Sequence, residues 1–273
     1  MVGSGTVLVL LSETCGPTGG RQFKECFWQK LICVEHSNLG KFYFKQGNWF
    51  KRSLRIFLYN FALLRADALI FVSDVAMRDS LLKLWPINRK KIIVLSNPIL
   101  DISEKLNLSE GLNNSINQFL LIGRFSPEKR IEAGLSFLQK NSMDNPIIVV
   151  SETNNEIRKN YHKSNNIYFY SNYSKAPVLS LHNTLLLNFG LVESFSLVIG
   201  EWLKAGGRVF SVENSSCNSI WKDYRGFYEF TESTDFKSQI TEMESASLKD
   251  DRAIFYGESI EDYKKNFFNI IKI

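Results

Sequence analysis

No pair among Cys15, Cys26, Cys33 and Cys217 has CxxC spacing, so neither a disulfide framework nor a zinc module organises this chain. The thiols read as the reduced cysteines of a cytoplasmic protein. No run of eighteen apolar residues occurs, so no segment reads as a membrane span. The apolar stretch 7–11 is too short for a secretory signal, and no Lys or Arg precedes it. No G-x-G-x-x-G follows a strand pattern, which disfavours a dinucleotide-dependent oxidoreductase. RNP, zinc-finger and helix-turn-helix signatures are missing. The net charge of +5 is too small and too dispersed for a nucleic-acid binder, though it suits an anionic ligand. No internal repeat or low-complexity segment appears.

What is present is an α/β pattern. The 273 residues suffice for two domains or one large one, and 44% of them are hydrophobic, with 21 Phe. Short apolar runs alternate with amphipathic stretches, which favours parallel strands joined by helices. Strands are expected over 30–35, 68–72, 91–95, 119–122, 146–150, 167–170, 184–187 and 208–212. Helices are expected over 49–64, 74–84, 130–139, 152–163, 196–205 and 260–273. In the first of these, Phe50, Leu54, Phe57, Leu58 and Phe61 share a face expected to pack into the first domain. Gly206-Gly207 closes the helix 196–205. The polar, Asn/Ser-rich stretch 101–118 reads as a linker. The division is then a first domain over 1–100, the linker 101–118, a second domain over 119–255 and a terminal helix over 256–273 expected to pack back on the first domain.

Two segments carry the chemistry. Gly123-Arg-Phe-Ser-Pro-Glu-Lys129 puts two cations between a strand and a helix, where open α/β sheets bind ligands. Arg124 offers a bidentate fork and Lys129 a point charge, which together suit a diphosphate. Alone, an Arg and a Lys in such a turn are ordinary surface residues. Glu193-Ser-Phe-Ser-Leu-Val-Ile-Gly-Glu201 puts one carboxylate in a loop and a second two turns into the following helix. The helix start favours phosphate, and Glu201 is placed to accept from ribose hydroxyls. Two glutamates are commonly just solvated, but apolar runs flank these on both sides. Holding a nucleotide sugar by its hydroxyls and diphosphate uses both segments. No Asp-x-Asp pair for a bound metal occurs, and paired cations fit a diphosphate without one.

The G-R-x4-K and E-x7-E elements, in this order, resemble those of the retaining GT-B glycosyltransferases of family 4. Ile70-Phe-Val-Ser73 and Lys91-Ile-Ile-Val-Leu-Ser-Asn-Pro98 also resemble that family's strand-and-turn pattern, and the likeness runs from about residue 30 to the C-terminus. It implies a GT-B-like α/β fold: two Rossmann-like domains facing a cleft, with the first one shortened. It implies sugar transfer from a UDP- or GDP-linked donor to a hydroxyl of a surface glycan or lipid-linked oligosaccharide, with retention, without a metal and without a cofactor. Arg124 and Lys129 would stabilise the leaving diphosphate, Glu193 would meet the donor sugar and Glu201 the ribose. Gly123, Ser194, Phe195, Ser196 and Leu197 would complete the donor site. His36 matches a family histidine near the donor sugar, although a lone histidine is as readily structural. His162 and His182 match nothing.

Departures from the family pattern qualify these expectations. Ser194 and Ser196 replace two glycines of an E-G-F-G loop, where small residues let the backbone approach phosphate. Gly200 and Trp202 are expected to reshape the nucleotide pocket. The first domain is short, with Gly16-Pro-Thr-Gly-Gly20 either a remnant of a glycine-rich loop or a plain leader. A non-catalytic binding module, or a subunit needing a partner protein, is therefore the alternative. Residues 41–55 interleave Phe42, Tyr43, Phe44, Trp49 and Phe50 with Lys45, Lys51, Arg52 and Arg55. Such a stretch suits either peripheral contact with an anionic membrane or ordinary packing.

Overall fold

Continuous apolar runs, not alternating ones, supply most strands, and those over 119–121, 147–150, 184–187 and 208–212 are buried along their length, as parallel strands covered on both faces are. The structure is a computed structural model. It describes residues 6–11, 30–35, 48–50, 53–54, 57, 66–79, 92–102, 108–109, 115–141, 143–151, 159–161, 164–172 and 179–271. The chain divides into two compact units, residues 1–96 and 97–273.

The first unit holds a four-stranded sheet in the order β1 (Thr6–Leu11), β2 (Lys30–Glu35), β3 (Ala68–Phe71), β4 (Ile92–Val94). β2, β3 and β4 run parallel, and β1 pairs antiparallel with β2, Thr6 opposite Glu35. Ile32, Cys33, Val34, Leu69, Ile70 and Phe71 are buried. Helix α1 (Asp74–Asp79) begins where the Ser73 hydroxyl accepts the Ala76 amide at 3.0 Å, and Asp74 opposes the helix dipole. Trp49, Phe50, Leu54 and Phe57 are helical as expected, but they stand 48–75% exposed. Burial of that face is therefore not seen at these four positions, and Leu58 and Phe61 lie outside the described residues.

The second unit holds a six-stranded, all-parallel sheet. Its strands are β6 (Gln118–Ile122), β7 (Ile147–Val150), β8 (Ile167–Tyr170), β10 (Thr184–Asn188), β11 (Arg208–Val212) and β12 (Phe227–Phe230). Their spatial order is β12-β11-β10-β6-β7-β8, a doubly wound sheet whose direction of winding reverses between β6 and β10. A separate short parallel pair joins β5 (Leu108–Ser109) to β9 (Leu179–Ser180). The helices are α2 (Ile131–Lys140), α3 (Leu197–Lys204), α4 (Asn218–Trp221), α5 (Phe236–Ser247) and α6 (Ile260–Ile271).

Phenylalanine dominates the core of this unit. Phe137, Phe189, Phe210, Phe230 and Phe236 form a cluster with centroids 5.0–5.8 Å apart, mostly tilted or edge-on, as aromatic quadrupoles prefer. Helix α5 joins it through Phe236, Ile240 and Met243, and Asp235 caps the helix by accepting the Ser238 amide at 2.9 Å. Residues 97–102 belong to this unit. Ile99 and Ile102 are buried, and the Lys204 ammonium donates to the Ile99 carbonyl at 2.9 Å.

Candidate functional site

The winding reverses between β6 and β10, and both chemistry-bearing segments leave the sheet at the carboxyl ends of these two strands, the place where doubly wound sheets bind ligands. β6 is followed by Gly123, whose φ of 150° suits glycine and whose amide donates to the Val150 carbonyl at 3.1 Å. The chain then turns so that the Lys129 and Arg130 amides both donate to the Ser126 carbonyl at 3.1 Å. Arg130 takes φ 51° at the N-cap, so α2 begins one residue later than the sequence pattern suggests. A Cβ at Gly123 would lie 3.5 Å from the Lys129 methylenes, so the lysine stem crosses the glycine.

From β10 the chain passes Gly190 to Glu193. The Lys129 ammonium donates to both Glu193 carboxylate oxygens, at 2.7 Å to Oε1 and 2.9 Å to Oε2. Glu193 is 7% exposed. A buried carboxylate is tolerable only with such a partner. Gly190 makes room for it, since a Cβ there would come within 2.6 Å of Glu193 Oε1. The loop is held from outside. The Ser216 hydroxyl bonds both the amide and the carbonyl of Glu193, and the Trp221 indole N–H donates to the Phe195 carbonyl at 2.8 Å. Phe195 packs edge-on to the Trp221 ring, with centroids 5.1 Å apart.

Ser194 is buried without a positive φ, whereas Ser196 takes φ 59°, ψ 79° as the N-cap of α3. Of the two positions expected to miss glycine, only the second adopts the left-handed backbone that glycine accepts freely. The Ser196 side chain does not cap the helix. The first-turn N–H groups of a helix lack intrahelical partners and carry the positive end of its dipole, and this helix start directly follows the loop that holds Glu193. Leu197 is 43% exposed at that start, and Glu201 lies half-buried in the next turn.

Gly200 and Trp202, the two residues expected to reshape the pocket, both face inward. A Cβ on Gly200 would meet Ile99 and Trp221 at 2.7 Å, and the Trp202 indole donates to the Arg208 carbonyl at 3.0 Å. Burial, and then the Glu193 charge, push the Cys217 thiol up to about 12, so it stays protonated and is no nucleophile.

The fold thus brings Lys129 and Glu193 into contact. Arg124 projects from the same turn with its side chain 58% exposed and a loose 3.7 Å approach to Glu128. His36 lies outside the described residues, as does most of 41–55. Gly190, Ser215, Ser216 and Trp221 belong to the site but carry no motif. Their only sequence signal is a small-residue turn directly after an apolar strand. Among the described residues no helix is long and apolar enough to cross a membrane, and no group of His, Cys, Asp and Glu is placed to hold a metal.

No protein-family model matches the sequence, and no curated protein matches it significantly. Solved structures do. TarM gives a TM-score of 0.61 at 16% identity, over 88% of this chain and 50% of TarM. Sucrose-phosphate synthase from Thermosynechococcus elongatus gives 0.61 at 12% identity, over 88% of this chain and 67% of that one. HepE from Anabaena, solved with UDP and glucose, gives 0.59 at 14% identity, over 88% and 71%. The chain therefore spans half the length of TarM and about two thirds of the other two. At these identities the likeness is one of fold, and the fold is the mixed α/β, parallel-sheet architecture of the GT-B glycosyltransferases.

Proposed function

We propose that this chain transfers a sugar from a nucleoside diphosphate sugar, UDP- or GDP-linked, to a hydroxyl acceptor on a surface glycan or lipid-linked oligosaccharide. The observation that carries the reading is the Lys129–Glu193 pair, its carboxylate buried, at the switch point of a doubly wound sheet, beside the start of α3. Doubly wound folds take nucleotides at that place.

The pair is a resting arrangement. An incoming diphosphate competes for the Lys129 ammonium and adds the first-turn amides of α3 and the exposed fork of Arg124. Lys129 then leaves Glu193, whose carboxylate becomes an acceptor for a donor-sugar hydroxyl, while Glu201 takes the ribose hydroxyls. The C1–O bond to phosphate breaks, the C1–O bond to the acceptor forms, and the acceptor proton leaves with the diphosphate. Cations fixed where that charge develops lower the barrier. Arg124, Lys129 and the helix start supply the charge a metal would otherwise bring, so the proposed reaction is metal-independent. Retention, and His36 as a residue lining the donor sugar, follow from the family resemblance.

A second reading is a non-catalytic nucleotide-sugar module, or a subunit that works with a partner as in the GtfA/B complex, another neighbour in fold. Calorimetric titration of UDP and GDP in the presence of chelator tests both. Wild type is expected to bind one of them, and Arg124→Ala/Lys129→Ala to lose about 1–3 kcal/mol per lost contact. No binding by folded wild type removes the enzyme reading. Binding without turnover of the matching nucleotide sugar selects the second.

A further inference from the structure

We propose that Ser216 is a positioning residue that aims the Glu193 carboxylate; the inference rests on the donor-site reading above. The segment between β10 and α3 has neither helix nor strand, so its backbone polar groups need partners from elsewhere. Residues 215–221 provide them. Ser215 Oγ donates to the Gly190 carbonyl at 2.5 Å, the Ser216 amide to the Leu191 carbonyl at 3.0 Å, and Trp221 Nε1 to the Phe195 carbonyl at 2.8 Å.

Ser216 does more than its neighbours. Its hydroxyl accepts the Glu193 amide at 2.8 Å and donates to the Glu193 carbonyl at 2.8 Å. One hydroxyl has one proton and two lone pairs, and here it is used in both senses on a single residue. The Glu193 backbone is fixed from both ends, and Gly190 lets its carboxylate settle 2.7 Å from Lys129. When a diphosphate takes Lys129, the ion-pair restraint on Glu193 is gone. The Ser216 clamp then remains to hold that carboxylate toward the sugar. The clamp bonds the Glu193 backbone and not the Arg124 or Lys129 side chains that meet the diphosphate.

The test compares wild type, Ser216→Ala and Ser216→Thr in three measurements: UDP and GDP affinity, kcat and KM for the matching nucleotide sugar, and urea unfolding. Ser216→Ala is expected to lower kcat about tenfold or more while diphosphate affinity stays within about twofold, because two neutral hydrogen bonds are lost at a group that acts on the sugar alone. Ser216→Thr keeps the hydroxyl and restores kcat. Equal losses in diphosphate affinity and kcat, an unchanged kcat, or a threonine variant no better than alanine would each overturn the proposal. If the alanine variant does not fold, the threonine comparison with wild type decides alone. If wild type neither binds nor turns over, the donor-site reading falls, and the clamp is judged by unfolding. Ser216→Ala must then shift the unfolding constant less in a Lys129→Met background than in wild type. Independent effects of the two changes overturn it.

Discussion

Replacing Lys129 by Met keeps the stem that crosses Gly123 but deletes the ammonium that holds Glu193 at 2.7 and 2.9 Å. The carboxylate left behind is 7% exposed, and hydrogen bonding to the loop reaches its backbone but not its charge. An uncompensated buried charge costs about 3–5 kcal/mol. Lys129 is itself about a quarter exposed, so water reaches the pair and the lower end, about 3 kcal/mol, is the expectation. Glu193→Gln keeps the shape and removes the charge, leaving Lys129 to reach solvent, so its cost is expected near 1 kcal/mol. Lys129→Met/Glu193→Gln has no stranded charge. The double variant is therefore expected to be more stable than the two single costs predict, by about 2 kcal/mol of coupling. Urea unfolding followed by tryptophan emission reads this, since Trp202 and Trp221 are both fully buried in the second unit. Costs that add to within about 0.5 kcal/mol would show that the two groups do not depend on one another and would refute the reasoning.

Ser196→Gly relieves a serine held at φ 59° and is expected to stabilise the chain by up to about 1 kcal/mol while opening the helix start to phosphate. A lower melting temperature would contradict it. At the opposite end of the second sheet, burial raises the Asp250 carboxyl, but the Arg252 guanidinium, the Gly226 amide and the Tyr228 hydroxyl hold it well below the usual carboxylate range. A depressed folded-state pKa stabilises above the unfolded value of 3.8 and is lost as pH falls below it. Asp250→Asn should therefore unfold more easily than wild type at neutral pH, with the gap narrowing below about pH 4 in urea titrations. A gap that widens in acid would refute the assignment.

The sequence by itself determined the α/β class, the strands 30–35, 167–170 and 208–212 to the residue, and the two segments that leave the sheet at its switch point. Buried parallel strands are continuous apolar runs with sharp polar ends, so their limits are legible without a partner. The helix 236–247 carries Asp235 as a cap and Phe236, Ile240 and Met243 at helical spacing, a local signal that sits beyond the motif-bearing region. Residues 97–100 read as the end of the first domain, ahead of a linker from 101, whereas Ile99 packs on α3, which carries glycine at 200 and lysine at 204 to receive it.

The E-x7-E spacing places Glu193 in a loop, but spacing says nothing of what neutralises it. Only the tertiary structure pairs it with Lys129, across sixty-four residues, because β6 and β10 lie side by side in the sheet. The same adjacency decides that Gly190 must be small, that Ser216 grips Glu193 and that Trp202 turns inward. Each of these depends on contacts between segments distant in the chain, and no local propensity encodes them.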